Sequence, residues 1–216
     1  MKQLTDCRLY TFLDGAYLNG REPIEIACQL CEGGADLIQL RAKAWPKEKV
    51  RTIAESLLPI TRDADVALVI NDHWEIASEI GAEFCHLGQE DFFDTDNSPQ
   101  PLADAPQLGL STHAPEQAER AMTVEAAYLA VGPVFATPTK PGRPAVTLDY
   151  VRWAAGHIDR PWFAIGGITL DNVDDVLAAG ASRICVVSAI LNASNIAHAC
   201  QQFREHLASA PLQTTP

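Results

Sequence analysis

Eight short runs rich in β-branched and aromatic residues punctuate this chain, and the segments between them carry apolar residues every three or four positions. The runs cover residues 8–13, 37–41, 66–70, 84–87, 107–111, 128–131, 162–165 and 183–187. The clearest helical segments are 23–32, 47–61, 73–80, 115–122, 148–155 and 170–178. Strand followed by helix, repeated along the chain, is the pattern of successive βα units, in which a parallel sheet is covered by its own crossover helices. Gly33-Gly34, Gly81 and Gly180 stand where left-handed helix terminators belong, and Thr169 is placed to cap 170–178. Eight strands can close on themselves, and no GxGxxG turn follows the first run, as it would in an open dinucleotide-binding sheet. The sequence therefore predicts a single α/β domain over 1–216, a (β/α)8 TIM barrel, with a flexible tail from about 209 to 216.

A chain of 216 residues is long enough for one large core. A net charge of −12 argues against a nucleic-acid binder, because affinity for a phosphate backbone needs clustered Lys and Arg. No stretch approaches the roughly 20 apolar residues that cross a bilayer, and no signal peptide is evident, so no membrane partner is expected. Cys7, Cys28, Cys31, Cys85, Cys185 and Cys200 are scattered, mostly in apolar runs, which fits free thiols in a reducing cytoplasm. An exposed helix face could support a homo-oligomer, although the pattern singles out none.

In such a barrel the chemistry gathers at the carboxyl ends of the strands. Polar residues crowd there: Gln39, Arg41 and Lys43 around the second run, Asn71 and Asp72 after the third, Gln89 and Asp91 after the fourth, Ser111 and His113 at the fifth. Thr137, Thr139 and Lys140 follow the sixth, Gly166-Gly167 the seventh, and Ser188 opens the helix after the eighth. Asp72 and Asp91, two carboxylates with amides nearby and no thiolate cluster, suit a hard cation that keeps several waters and meets phosphate oxygens, which points to Mg2+. The alternative is that each Asp merely caps the next helix. Arg41, Lys43 and Lys140 can neutralise a departing diphosphate. Gly166-Gly167 with Val187-Ser188 offers backbone N–H groups to a second anion, so two phosphorylated ligands are expected. Phe135 to Ala145, with Lys140 and Arg143 among its prolines, is long enough to act as a lid, whereas Asp94 to Pro106 reads as a plain surface connection.

Other conspicuous residues have plainer readings. Cys28-x-x-Cys31 lacks a second pair at zinc spacing and reads as packing. His86, inside a strand run, reads as a hydrogen-bonded structural histidine, and His113 as an orienting one. Trp45, Trp74, Trp153 and Trp162 read as packing residues, since no basic stripe accompanies them.

Taken in order, Gln39-Leu40-Arg41-Ala42-Lys43, Ile70-Asn71-Asp72, His86-Leu87-Gly88-Gln89-Glu90-Asp91, Gly132-Pro133-Val134-Phe135-Ala136-Thr137-Pro138-Thr139-Lys140 and Ala164-Ile165-Gly166-Gly167-Ile168 resemble the thiamine phosphate synthase family over nearly the whole chain. The resemblance implies a transferase of thiamine biosynthesis that joins a hydroxymethylpyrimidine diphosphate to a thiazole phosphate. It implies that Gln39, Arg41, Lys43, Asn71, Ser111 and Lys140 bind the pyrimidine diphosphate, with Arg41, Lys43, Ser111 and Lys140 also catalytic. Asp72 and Asp91 would hold Mg2+, and Thr137, Thr139, Gly167, Val187 and Ser188 the thiazole phosphate. Phe84-Cys85 replaces the Gly-Val expected before the His-Leu-Gly-Gln run, and Thr147 stands where the family often has Gly. A thiazole tautomerase on the same barrel would rely on His113, but the intact Asp72, Asp91, Thr139 and Lys140 speak for the synthase.

Overall fold

The computed structural model describes residues 2–94, 106–137 and 145–211. Eight strands, β1 (Leu9–Asp14), β2 (Leu37–Arg41), β3 (Ala67–Asn71), β4 (Phe84–Leu87), β5 (Gln107–Thr112), β6 (Ala126–Val131), β7 (Trp162–Ile165) and β8 (Ile184–Val186), form a closed barrel in sequence order. All neighbours are parallel, and β1 closes the ring on β8 by pairing Leu9, Tyr10 and Thr11 with Ile184, Cys185 and Val186. The barrel expected from the alternation is therefore the one observed. Most strand residues are buried because helices cover the outer face while side chains fill the inner one.

The outer helices among the described residues are α1 (Pro23–Glu32), α2 (Lys47–Asp63), α3 (Trp74–Ile80), α4 (Gln89–Phe93), α5 (Pro115–Met122), α6 (Thr147–His157), α7 (Val173–Ala178), α8 (Ser188–Leu191) and α9 (Ile196–Ser209). Pro23 and Pro115 sit in the first turns of α1 and α5, where a missing N–H costs nothing. Gly81 at φ +72° terminates α3 as expected. After α1, Gly34 takes the left-handed conformation, whereas Gly33 stays right-handed. The cap expected at Thr169 is not made: α7 begins at Val173, and Thr169 donates its N–H to Asn172 Oδ1 at 2.9 Å. Of the expected tail, Ser209 still ends α9 and Ala210 O accepts from Arg8, while 212–216 lie outside the described residues. No helix among the described residues is long and apolar enough to cross a membrane.

Inside the barrel the lower layer is aromatic. Tyr10, Tyr128 and Phe163 meet edge to face with centroids 5.3 to 5.7 Å apart. Phe84, one of the departures from the family pattern, joins this layer 5.7 Å from Tyr128. The space for Tyr128 comes from Gly109 on the neighbouring strand, where a Cβ would fall 2.2 Å from the tyrosine ring. Above this aromatic floor the lining turns polar.

Candidate active site

A cavity of about 880 Å3 opens at the carboxyl end of the barrel, within the usual range of small-molecule sites. Side chains two apart on a strand share a face, so Gln39 and Arg41 both point inward from β2. Asn71 and Asp72 reach the cavity from the end of β3, Asp91 from α4, and Ser111 from β5. Lys43, Thr137, Gly167, Val187 and Ser188 line it from the loops and from the start of α8. Every sequence-predicted site residue that lies among the described residues is thus on one cavity. Thr139 and Lys140, with most of the expected lid, fall at 138–144, outside the described residues, as does 95–105 of the surface connection.

Neither carboxylate stands at an N-cap position, which belongs to His73 in α3 and to Gly88 in α4. Asp72 instead sits at φ +64°, a left-handed turn that Asp tolerates, and its carboxylate meets Lys43 Nζ at 3.3 Å. Asp91 lies in the first turn of α4, with Oδ2 close to Gly88, where a Cβ would come within 2.7 Å of it. Among the described residues there is no group of three or more His, Cys, Asp or Glu side chains able to hold a metal. Asp72 and Asp91 offer hard carboxylate oxygens to the cavity, the donor type that suits Mg2+.

Arg41 is held by a residue the sequence reading passed over. Asp14 ends β1 in register with Arg41, and its Oδ2 accepts from Arg41 Nη1 at 2.6 Å while Oδ1 accepts from Ala16 N at 2.9 Å. The Asp14 side chain is only 2 % exposed, so this pair fixes the guanidinium at the cavity wall more firmly than a surface pair could. Asp14 is the polar residue at the end of the first strand, and extending the same strand-end count to that strand would have found it. Gln89, counted at the mouth, donates Nε2 to Ser111 O at 2.8 Å and braces the end of β5.

The glycine loop is built by contact as well as conformation. Gly166 and Gly167 have φ +105° and +66°, and a Cβ on either would run into Pro133 or Phe135. Val134 and Phe135 donate to Ile165 O and Gly166 O at 2.8 and 3.0 Å, which ties the loop after β6 to the loop after β7. Asn172 Nδ2 closes the turn on Gly167 O at 2.9 Å. His113 is half-buried, donates its N–H to Gln117 Oε1 and hydrogen-bonds Gly132 O through Nδ1, so its ring is oriented by the same loop. Thr147, the second departure from the family pattern, has φ +63°, which explains why glycine suits that position.

The fold and this site define a βα-barrel enzyme with its chemistry at the carboxyl end of the strands. The thiamine monophosphate synthase family matches residues 9–190. A thiamine-phosphate synthase of Thermus thermophilus is 47 % identical over 178 residues, which covers 81 % of this chain and 84 % of that one. One from Acidothermus cellulolyticus is 41 % identical over 209 residues, 96 % of this chain and 98 % of its own. Among solved structures, a thiamine phosphate pyrophosphorylase from Pyrococcus furiosus superposes with a TM-score of 0.81 at 28 % identity, over 95 % of this chain and 97 % of that one. The chain belongs to the thiamine monophosphate synthase family, and its activity is that of a transferase that forms thiamine phosphate.

Proposed function

We propose that the cavity joins a hydroxymethylpyrimidine diphosphate to a thiazole phosphate by a dissociative substitution. What supports this most is the convergence of Asp72, Asp91, Arg41 and Lys43 on one wall of the cavity that also carries the Gly166-Gly167 loop and the start of α8. Gln39, Asn71 and Ser111 hold the pyrimidine, and Arg41, Lys43 and Lys140 face the diphosphate. Thr137, Thr139, Gly167, Val187 and Ser188 anchor the thiazole phosphate. Asp72 and Asp91 would hold Mg2+, which when bound supplies positive charge to the diphosphate oxygens.

The C–O bond between the pyrimidine methylene and the diphosphate breaks, and the leaving group takes the electron pair. Arg41, Lys43 and Lys140 offset its growing charge. The electron-rich aminopyrimidine supports the methylene cation until the thiazole nitrogen donates its lone pair and forms the new C–N bond. No protein nucleophile is needed, so the side chains act by positioning and by leaving-group stabilisation. Asp72 also restrains Lys43 before substrate arrives, and this half-exposed pair is weak enough to yield to a phosphate. All six cysteines are free thiols, which supports a site of action in the reducing cytoplasm.

The test is a coupling assay with both phosphorylated heterocycles, following thiamine phosphate and diphosphate with Mg2+ and with EDTA. Stoichiometric appearance of both products, abolished by EDTA and restored by added Mg2+, is the expected result. A folded, Mg2+-supplied protein that forms neither product refutes the reading.

A further inference from the structure

A line of buried hydrogen bonds crosses the barrel at the base of the cavity and connects two of its walls. Gln39 Nε2 lies 2.5 Å from Tyr10 Oη, Tyr10 Oη 2.9 Å from Tyr128 Oη, and Tyr128 Oη 3.1 Å from His86 Nδ1. The line ends where His86 Nε2 lies 2.9 Å from Ser111 Oγ. Gln39 and Ser111, at its two ends, both line the cavity, and all five residues are buried. Tyr10 and Tyr128 do not line the cavity, whereas His86 does, with no role in the substrate site described above.

The chemistry of the donors gives this line a direction. An amide nitrogen can only donate, so Gln39 gives a proton to Tyr10 Oη. Tyr10 then has its own O–H to place, and the hydroxyl beside it is that of Tyr128. Burial pushes both phenols well above their usual range, so both keep their protons. Tyr128, having accepted, donates to His86 Nδ1, and an Nδ1 that accepts leaves the imidazole proton on Nε2. That N–H points at Ser111 Oγ. With one lone pair taken from below, the Ser111 hydroxyl retains its own proton for the cavity.

We propose that Tyr10, Tyr128 and His86 are positioning residues that transmit the Gln39 amide orientation across the barrel and make Ser111 a hydrogen-bond donor toward the pyrimidine substrate. The recipient is a lone pair on that substrate, either a ring nitrogen or a diphosphate oxygen. Turning the Gln39 amide over would reverse every bond, protonate His86 on Nδ1 and leave Ser111 only lone pairs to offer. A donor where the substrate presents an acceptor binds it, and an acceptor in the same place repels it. The substrate's identity rests on the synthase reading, whereas the direction of the line belongs to the ligand-free protein and can be measured without any turnover.

The test has two arms on the full chain. In the first, 15N NMR of histidine-labelled protein at neutral pH, with His86 identified by its absence in His86→Gln, reports which ring nitrogen carries the proton. Nε2–H with a bare Nδ1 is expected, and an Nδ1–H tautomer or a doubly protonated ring overturns the proposal even if no synthase activity is found. In the second, Tyr128→Phe keeps the ring and removes only the link. It should raise KM for the pyrimidine diphosphate about tenfold, the scale of one buried hydrogen bond, and leave KM for the thiazole phosphate unchanged. In a Ser111→Ala background the same substitution should have no further effect. His86→Gln, which keeps an N–H near the Nε2 position, should retain more activity than His86→Asn. Inhibition by inorganic diphosphate identifies the recipient: it weakens in Tyr128→Phe if Ser111 serves a phosphate oxygen and stays constant if it serves the ring. Equal loss for both substrates, or a full further loss on top of Ser111→Ala, would reduce the line to core packing.

Discussion

At the amino end of the barrel Arg8, Arg160, Arg183 and Arg204 donate to main-chain carbonyls, whereas at the carboxyl end Arg41 and Lys43 meet carboxylates on an open cavity. The lower arginines bridge loops distant in sequence: Arg8 reaches Ser182 O and Ala210 O, Arg183 reaches Thr5 O, and Arg160 reaches Met122 O, Val124 O and Ala126 O. Among them Arg204 also meets a carboxylate, Asp36, which is 2 % exposed and accepts from Lys2 and from the N–H groups of Arg8 and Leu9 as well, while Arg160 pairs with Asp159. Burial alone would raise the Asp36 carboxyl, but the Leu9 N–H, Lys2 and the Arg8 N–H outweigh it and hold it below its usual range. Charges that are used up inside the protein hold the fold, and charges that still face a cavity are available to a ligand. This division assigns stability to the lower face and chemistry to the upper one.

Substitutions that separate the two ends sharpen the comparison. The largest effect belongs to Asp72→Asn, which keeps a residue tolerant of the left-handed turn and removes one carboxylate. Turnover should fall by about 100-fold or more, since leaving-group stabilisation is the main contribution to the rate, while the thermal midpoint changes little. At the other end, Asp36→Ala leaves the Arg8 and Leu9 N–H groups and the Lys2 and Arg204 side chains without this acceptor and should cost about 3 kcal/mol. For a chain of this size that lowers the midpoint by roughly 6–12 °C, read by calorimetry.

The same carboxylate sets an acid limb. Because its folded pKa is depressed, the unfolded chain binds a proton first, so its contribution is complete above the ordinary value of 3.8 and is lost as pH falls through the lower folded value. Denaturant titrations from pH 5 downward should show a steeper loss in the wild type than in Asp36→Ala. At the alkaline end the sign is opposite. Burial pushes Cys7 and Cys200 to about 12 and Cys31 to about 11, so the unfolded thiols ionise first and stability falls as pH rises above the ordinary 9.0. Iodoacetamide at pH 8 should accordingly label the exposed Cys28 well ahead of these three, as mass spectrometry would show. The smallest effect is Thr147→Gly. It relieves a left-handed β-branched residue and loses the 3.3 Å bond from Asp149 N to Thr147 Oγ1, for a net gain of about 0.5–1 kcal/mol. A rise of a few degrees in the midpoint would register it.

Most of the barrel was legible because each strand is a short run whose composition differs sharply from its helix. The runs at 37–41, 84–87 and 162–165 match β2, β4 and β7, and the others differ by one or two residues at one or both ends. What escaped was either too short or too distant for a local pattern. Five residues cannot display helical periodicity, so α4 has no local signature, and Asp91 lies within its first turn instead of before it, where a capping Asp would stand. The start of α7 moved to Val173 because Asn172 uses its side chain to close the glycine turn instead of leaving Thr169 to cap. Tyr10 and Tyr128 stand 118 positions apart and His86 and Tyr128 stand 42 apart, a contact that only barrel closure creates. His86 is, as its strand setting suggested, a hydrogen-bonded residue of the core, but the sequence holds no sign of what it bonds to.

The most direct test of the division between the two ends is to measure turnover and thermal midpoint on the same preparations of Asp72→Asn and Asp36→Ala. The account predicts a crossed pattern: Asp72→Asn loses turnover and keeps its midpoint, while Asp36→Ala loses its midpoint and, well below it, keeps its turnover. Two variants that lose activity and stability in proportion would contradict it, because the charges at the two ends would then be doing one job and not two.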